Sequence, residues 1–227
     1  MQRTLPLLRT MTTKAAAKTI KIDIVSDTVC PWCYIGKKRL ETAITSFKSK
    51  AENKEVEFEV NWYPYQLDPS ASETPIPKMV MYGRKFGQDR APLIRDRMIQ
   101  VGKEEGINFA YDGNIVNTLN SHRLIAYATK HGKQDEMVNQ LFKDYFEENK
   151  CGEIDTLIDS AAKVGLDREK VAKFLNSDEG AQEIKAEINK AKTQGVQGVP
   201  YFTINGSYSY SGAQDPQTFE ALFNKAA

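Results

Sequence analysis

Cys30-Pro31-Trp32-Cys33 follows an apolar-alternating run, Ile20 to Val25, and precedes a helical pattern from Ile35 to Phe47. Two cysteines with two residues between them, placed where a strand gives way to a helix, read as a thiol–disulfide redox pair. The first turn of a helix has unpaired backbone N–H groups and the positive end of the macrodipole. Both favour a thiolate, which puts the expected pKa of Cys30 below the free value of roughly 8.5. Pro31 suits that turn, because its missing N–H is not needed there. Cys33, one turn deeper, is within reach of Cys30 and can resolve a mixed disulfide. Half a zinc site is a competing reading, but Cys151, His122 and His131 supply no second close-spaced pair. Two inert, merely packed or crosslinked cysteines are the other. With three cysteines in the chain, a disulfide-rich scaffold is excluded.

Outward from the motif, Thr19 to Val25 is a strand pattern rich in Ile. Leu40, Ala43, Ile44 and Phe47 line one face of the helix after the cysteines. Val56, Phe58 and Val60 alternate with polar residues, so a second strand runs through Trp62, and strand, helix, strand suggests a right-handed βαβ unit. Pro64, Pro69, Pro75 and Pro77 then break regular structure. From Lys78 to about Gly195 the apolar period is helical. Its stripes include Ile94, Met98 and Val101, then Met137, Leu141, Phe142, Tyr145 and Phe146, and Ser or Asp near several starts suggests caps. Core packing accounts for these stripes. Tyr201 to Ile204, Asn205-Gly206, and Ser207 to Tyr210 form a hairpin signal, and Asp215 and Pro216 open a last helix carrying Phe219, Leu222 and Phe223.

The chain of 227 residues is 41% hydrophobic and 27% charged, enough for one substantial core. Its net charge of +1 gives no support for nucleic-acid binding, and no apolar run has the length of a membrane span. Residues 1–18 read as a basic leader outside the fold. Arg3, Arg9, Lys14, Lys18 and Lys21 precede the first acid, Asp23, a pattern of mitochondrial targeting segments. A basic tail on a cytoplasmic protein, or a start at Met11, is the alternative.

Gly195-Val196-Gln197-Gly198-Val199-Pro200 stands before the hairpin. Proline at a strand entrance cannot donate to a ladder, and a cis Val199–Pro200 bond is one reason for it to be there. With Ser26 to Gly36, Tyr65 to Pro69, Asn117-Thr118, Ser121-His122-Arg123 and Ser211 to Gln214, the order of segments resembles the DsbA-like members of the thioredoxin superfamily. More closely it is similar to the FrnE-like branch, beside 2-hydroxychromene-2-carboxylate isomerases and kappa-class glutathione transferases. The resemblance covers about residues 20 to 224.

It implies an α/β thioredoxin-like fold with a large all-helical insertion. Residues 19–74 and 196–227 would form the thioredoxin-like domain and 75–195 the helical subdomain. It implies dithiol–disulfide exchange at Cys30 and Cys33, which form the redox-active disulfide, and a cis Pro200 facing them. Pro31, Trp32, Tyr34, His122, Val199 and Pro200 become candidates for lining the site or binding substrate. Asp27, just before the motif, is a candidate influence on protonation of the pair, or an ordinary loop residue. Cys151 reads as a structural or incidental thiol. Gln66 and Gln214 fit the pattern without a chemical role.

The relatives with serine at the first position activate glutathione, whereas this chain keeps both cysteines. The expected activity is therefore that of a thiol–disulfide oxidoreductase acting on protein or small-molecule thiols and disulfides. No tightly bound cofactor is expected; glutathione is a candidate co-substrate, no metal is called for, and a homodimer is the expectation from relatives. Two rivals stand beside it. A glutathione-dependent transferase or isomerase of small hydrophobic substrates would survive Cys33→Ser, and a client-binding chaperone module would survive Cys30→Ser.

Overall fold

The computed structural model describes residues 18–226. All but the last residue of the expected leader lies outside the described residues. Four strands, β1 (Thr19–Ser26), β2 (Glu57–Pro64), β5 (Tyr201–Ile204) and β6 (Tyr208–Ser211), form one sheet in the order β2-β1-β5-β6. β1 and β2 run parallel, with Thr19 opposite Glu57 and Ser26 opposite Pro64. A parallel pair needs a crossover, and α1 (Pro31–Ser49) supplies it. β5 runs antiparallel to β1, with Ile24 opposite Phe202, and β6 returns against β5. The hairpin turns through Asn205 and Gly206, both at positive φ, and the Ser207 N–H closes onto the Ile204 carbonyl at 3.0 Å.

The sheet packs through the residues whose alternation marked them. Ile20, Ile22 and Ile24 are fully buried in β1. Phe47 of α1, Phe58 of β2 and Phe223 of α9 (Pro216–Ala226) meet with ring centroids 4.9–5.9 Å apart. Such edge-on aromatic contacts add to the burial of their area.

Between β2 and β5 the chain inserts α2 (Lys78–Phe86), α3 (Arg90–Glu104), α4 (Leu119–Thr129), α5 (Gln134–Phe146), α6 (Ile154–Lys163), α7 (Arg168–Leu175) and α8 (Ala181–Thr193). The expected α/β core with a large helical insertion is therefore present. Two details differ from the sequence reading. Ile76-Pro77 (β3) pairs with Asn114-Ile115 (β4), a ribbon too short to produce alternation. Of the Ser and Asp residues near helix starts, Asp167 accepts from the Glu169 and Lys170 N–H groups, whereas Ser177 caps no helix and the next one begins at Ala181. Ser177 instead donates its hydroxyl to the Phe174 carbonyl, and Gly180 at φ 78 turns the chain into α8. Among the described residues, no helix is long and apolar enough to cross a membrane.

The proline-rich segment is tied to the chain that leads into α4. Asn117 Nδ2 donates to the Pro69 and Ala71 carbonyls, each at 3.1 Å, and Gln66 Nε2 donates to Asn117 Oδ1 at 2.8 Å. Arg123, buried in α4, donates to the carbonyls of Phe174, Leu175, Ser177 and Glu179. One guanidinium thus satisfies the orphan end of α7 and the turn after it.

Candidate active site

The cysteines stand at the mouth of α1. Cys30 is the N-cap, in extended backbone conformation, and Pro31 follows in the first turn. The Cys30 carbonyl accepts the N–H of Cys33 at 3.0 Å, and the Cys30 N–H donates to the Asp27 carbonyl at 3.1 Å. Both cysteines are free and buried, Cys30 at 4% exposure and Cys33 at 1%. The bond between Val199 and Pro200 is cis. The Val199 carbonyl oxygen lies 3.5 Å from Cys30 Sγ. Pro200 is buried, and its carbonyl accepts the Gly212 N–H at 2.8 Å, which fixes this loop to the end of the hairpin.

Close approach of α1 to this loop depends on Gly36. A Cβ there would lie 3.2 Å from Pro200 Cγ and 3.1 Å from Phe202 Cζ. The sequence places Gly36 in the motif but cannot show what it faces.

The two thiols are not equivalent. Burial pushes the Cys33 thiol well above its ordinary pKa, and the hydrogen bond with Cys30 and the charge there add to the rise. Ser26 and the Asp27 backbone oppose it in part. Asp27 is itself 1% exposed. Its Oδ2 accepts the Leu67 N–H at 2.8 Å, while Oδ1 has no hydrogen-bond partner. His122 Nε2 lies 3.5 Å from that Oδ1 and 2.8 Å from the Tyr65 carbonyl. Because the Tyr65 partner is a carbonyl, Nε2 carries the hydrogen.

The remaining candidates separate by exposure. Trp32 is 37% exposed beside the pair, and Pro31 and Val199 are half-buried. Tyr34 cannot offer a surface to a substrate. It is 3% exposed, its hydroxyl donates to Glu147 Oε1 at 2.6 Å, and its ring stacks on Phe142 at 5.1 Å. It points into the helical insertion because its place on α1 faces α5. His122 is also buried, held under the loop at Tyr65 rather than beside Cys30.

Tyr82 of α2 was not singled out by sequence. It is buried in the insertion, and burial raises its hydroxyl pKa while Tyr111 opposes the rise. An isolated tyrosine in a helical stripe carries no signal of this. Cys151 is buried; it donates to Glu153 Oε2 at 3.2 Å, and burial first, then Glu153, pushes its thiol up to about 11. Gln214 donates to the Ser211 carbonyl at 2.7 Å, closing the turn after β6. Among the described residues, no group of three or more His, Cys, Asp or Glu side chains is placed to hold a metal.

Comparisons with known proteins agree with this geometry. The chain is 28% identical over 213 residues to the uncharacterized protein YwbO of Bacillus subtilis (strain 168), covering 89% of this chain and 94% of that protein. The crystal structure of a probable DsbA oxidoreductase, SCO1869, from Streptomyces coelicolor superposes with a TM-score of 0.82 at 28% identity. The overlap covers 91% of this chain and 89% of that one. The cytosolic disulfide reductase DsbM of Pseudomonas aeruginosa, solved with GSH, shares the fold with a TM-score of 0.57 at 14% identity, covering 90% of this chain and 98% of that one. The profile of the DSBA-like thioredoxin domain matches residues 21–224, and the chain belongs to that family.

Proposed function

We propose that this thiol–disulfide oxidoreductase works with Cys30 as attacking thiol and Cys33 as resolving thiol, on substrates held in extended form beside Val199. The observation that carries the reading is the free cysteine pair at the start of α1, with Cys30 Sγ 3.5 Å from the Val199 carbonyl. A substrate strand crossing there would find that backbone, the cis Pro200 wall and the exposed face of Trp32.

In the reducing direction, the Cys30 thiolate attacks a substrate disulfide, forming the Cys30–substrate disulfide and releasing one substrate thiolate. Cys33 loses its proton and attacks Cys30 Sγ, releasing the second thiolate. The substrate gains two electrons, and the pair ends as a Cys30–Cys33 disulfide. Run backwards, the same steps oxidise a dithiol. The high pKa of Cys33 keeps it a thiol while Cys30 attacks, so its proton must be removed in the second step. Asp27 is proposed for that role, as a buried carboxylate next to the motif whose Oδ1 has no hydrogen-bond partner.

Two finer readings belong to this proposal. Placement in the FrnE-like branch rests on the segments Ser26 to Gly36, Tyr65 to Pro69, Asn117-Thr118 with Ser121-His122-Arg123, Gly195 to Pro200 and Ser211 to Gln214. Glutathione as the thiol that resets the pair is supported by the likeness to a reductase solved with GSH. Under this reading Pro31, Trp32, Val199 and Pro200 line the substrate path, and Tyr34 and His122 support it from inside.

The test is equilibration of the protein in glutathione buffers with mass-spectrometric trapping. A reversible two-electron couple is expected at Cys30 and Cys33, with its potential giving the direction. Cys30→Ser should abolish reduction of a model disulfide, and Cys33→Ser should accumulate a mixed disulfide at Cys30. Turnover that survives Cys33→Ser, with no intramolecular disulfide in the wild type, would replace this reading by a glutathione-dependent transferase or isomerase.

A further inference from the structure

A base for Cys33 has to be a carboxylate and not a carboxylic acid, and Asp27 is 1% exposed. Burial disfavours the charged form of an acid unless a donor or a cation stands against it. The supports around Asp27 are few. Oδ2 accepts the Leu67 N–H at 2.8 Å. Among the described residues, no lysine or arginine forms an ion pair with it. The titratable neighbours on α1 and α5 become anions when they ionise and give no help. They are Cys30, whose N–H donates to the Asp27 carbonyl, Cys33, and Tyr145, whose hydroxyl feels the Asp27 charge.

His122 of α4 is the exception. Its Nε2 lies 3.5 Å from Oδ1, the carboxylate oxygen with no hydrogen-bond partner, and 2.8 Å from the Tyr65 carbonyl. That carbonyl fixes a hydrogen on Nε2, which leaves a donor beside the open oxygen. Both side chains are buried, so water does little to weaken the attraction between them. The loop at Tyr65 to Leu67 binds both partners, one through a carbonyl and the other through an N–H.

We propose that His122 is the positioning residue of the resolving step, its Nε2–H supporting Asp27 as a carboxylate through Oδ1. Asp27 takes the proton from Cys33 Sγ, and the Cys33 thiolate attacks Cys30 Sγ. The bond from Cys30 to the substrate sulfur breaks, and its electron pair leaves as the substrate thiolate. His122 acts through Asp27 and not on either sulfur. The inference rests on the reading of Asp27 as the base.

The experiment mixes the full reduced chain with glutathione disulfide and follows release of glutathione from the Cys30 mixed disulfide across pH, by acid quench and mass spectrometry. In the wild type the rate should rise with pH to a plateau. His122→Leu should move the midpoint of that rise up by about one pH unit and slow release about tenfold below it, the loss of one hydrogen bond to a charged group. His122→Gln keeps an amide donor and should stay within about twofold of the wild type. With Asp27→Asn in place, adding His122→Leu should change the rate by less than about twofold. An unmoved midpoint in His122→Leu, or equal slowing with and without Asp27→Asn, overturns the proposal and leaves His122 an anchor for the loop at Tyr65. If Asp27→Asn alone leaves release unchanged, the base reading falls, and this inference falls with it. The nitrogen NMR resonances of the His122 ring decide the matter even if His122→Leu fails to fold. The Nε2 resonance should shift in Asp27→Asn, and an unmoved resonance overturns the proposal.

Discussion

At the scale of single residues, the site turns on an asymmetry between two thiols one helical turn apart. Cys33 is held well above its ordinary pKa by burial, the Cys30 hydrogen bond and charge at Cys30, so it waits protonated until its base acts. Asp27 is the candidate base, and Asp27→Asn tests it. A positioned base contributes about a hundredfold or more to such a step. Release of the mixed disulfide at pH 7 should slow by about that factor, while alkylation of Cys30 keeps its rate. The pH profile adds a readout that a structural role would not move. Without the base, resolution depends on hydroxide and should climb steeply with pH through 9, whereas the wild type climbs less. Equal resolution rates in both proteins would reduce Asp27 to an anchor for Leu67, whose N–H its Oδ2 accepts. The sequence showed an acid three residues before Cys30. Its burial and open Oδ1 come from the loop at Tyr65 to Leu67 folding over it, which no local pattern reveals.

At the scale of elements, α1 is set against β5 and the Val199–Pro200 loop through a contact that is tight at Gly36. The Cβ of valine there would press on Pro200 Cγ and Phe202 Cζ at 3.2 and 3.1 Å, and its methyl groups would press harder. Overpacking of this kind costs about 1–3 kcal/mol. The gain in helix propensity over glycine is smaller, under about 1 kcal/mol. Gly36→Val should therefore lose about 2 kcal/mol in urea unfolding, and its oxidoreductase activity should fall as Cys30 moves away from Val199. An unchanged midpoint with full activity would show that α1 does not depend on this contact. The elements themselves were legible because their causes are local. Ile20, Ile22 and Ile24 alternate, the α5 stripe at Met137 to Phe146 repeats at helical spacing, and Asn205-Gly206 supplies the positive φ its turn needs. What stayed hidden is non-local. Asn117 looked like one residue of a motif and proved to hold the proline-rich segment through three carbonyl and amide contacts. Tyr34 looked like a site residue because it follows the cysteines, but helix geometry turns it into the insertion. Arg123 shows the same limit, since the carbonyls it meets lie more than fifty positions away.

At the scale of the whole molecule, the insertion is knit around a buried cation. Lys78, 2% exposed at the start of α2, donates to the carbonyls of Ala110 and Tyr145 and to Asn149 Oδ1. It therefore ties α2 to the end of α5 and to the chain that precedes β4. Burial lowers its pKa from 10.5 to about 8, with Cys151 and Asp112 opposing the fall. Below about pH 8 the lysine is charged in both folded and unfolded chains, and the cost of burying that charge is fully present. Between about 8 and 10.5 the unfolded chain still holds a proton that the folded chain has released. The Lys78 contribution to stability therefore rises with pH across that window. Other groups act in the opposite sense. The thiols of Cys33 and Cys151 and the hydroxyls of Tyr34, Tyr82, Tyr111 and Tyr145 are raised in the fold. The unfolded chain releases those protons first, so they draw stability down above about pH 9. Total stability against pH would mix the two trends, but the difference between wild type and Lys78→Met isolates one. From pH 7.5 to 9.5 that difference should move in favour of the wild type by about 2 kcal/mol, the shift expected from roughly one and a half pKa units. Urea unfolding of both proteins at several pH values measures it. A flat difference would mean that Lys78 keeps its charge throughout, held by its carbonyl cradle and the Tyr145 ring 4.1 Å away.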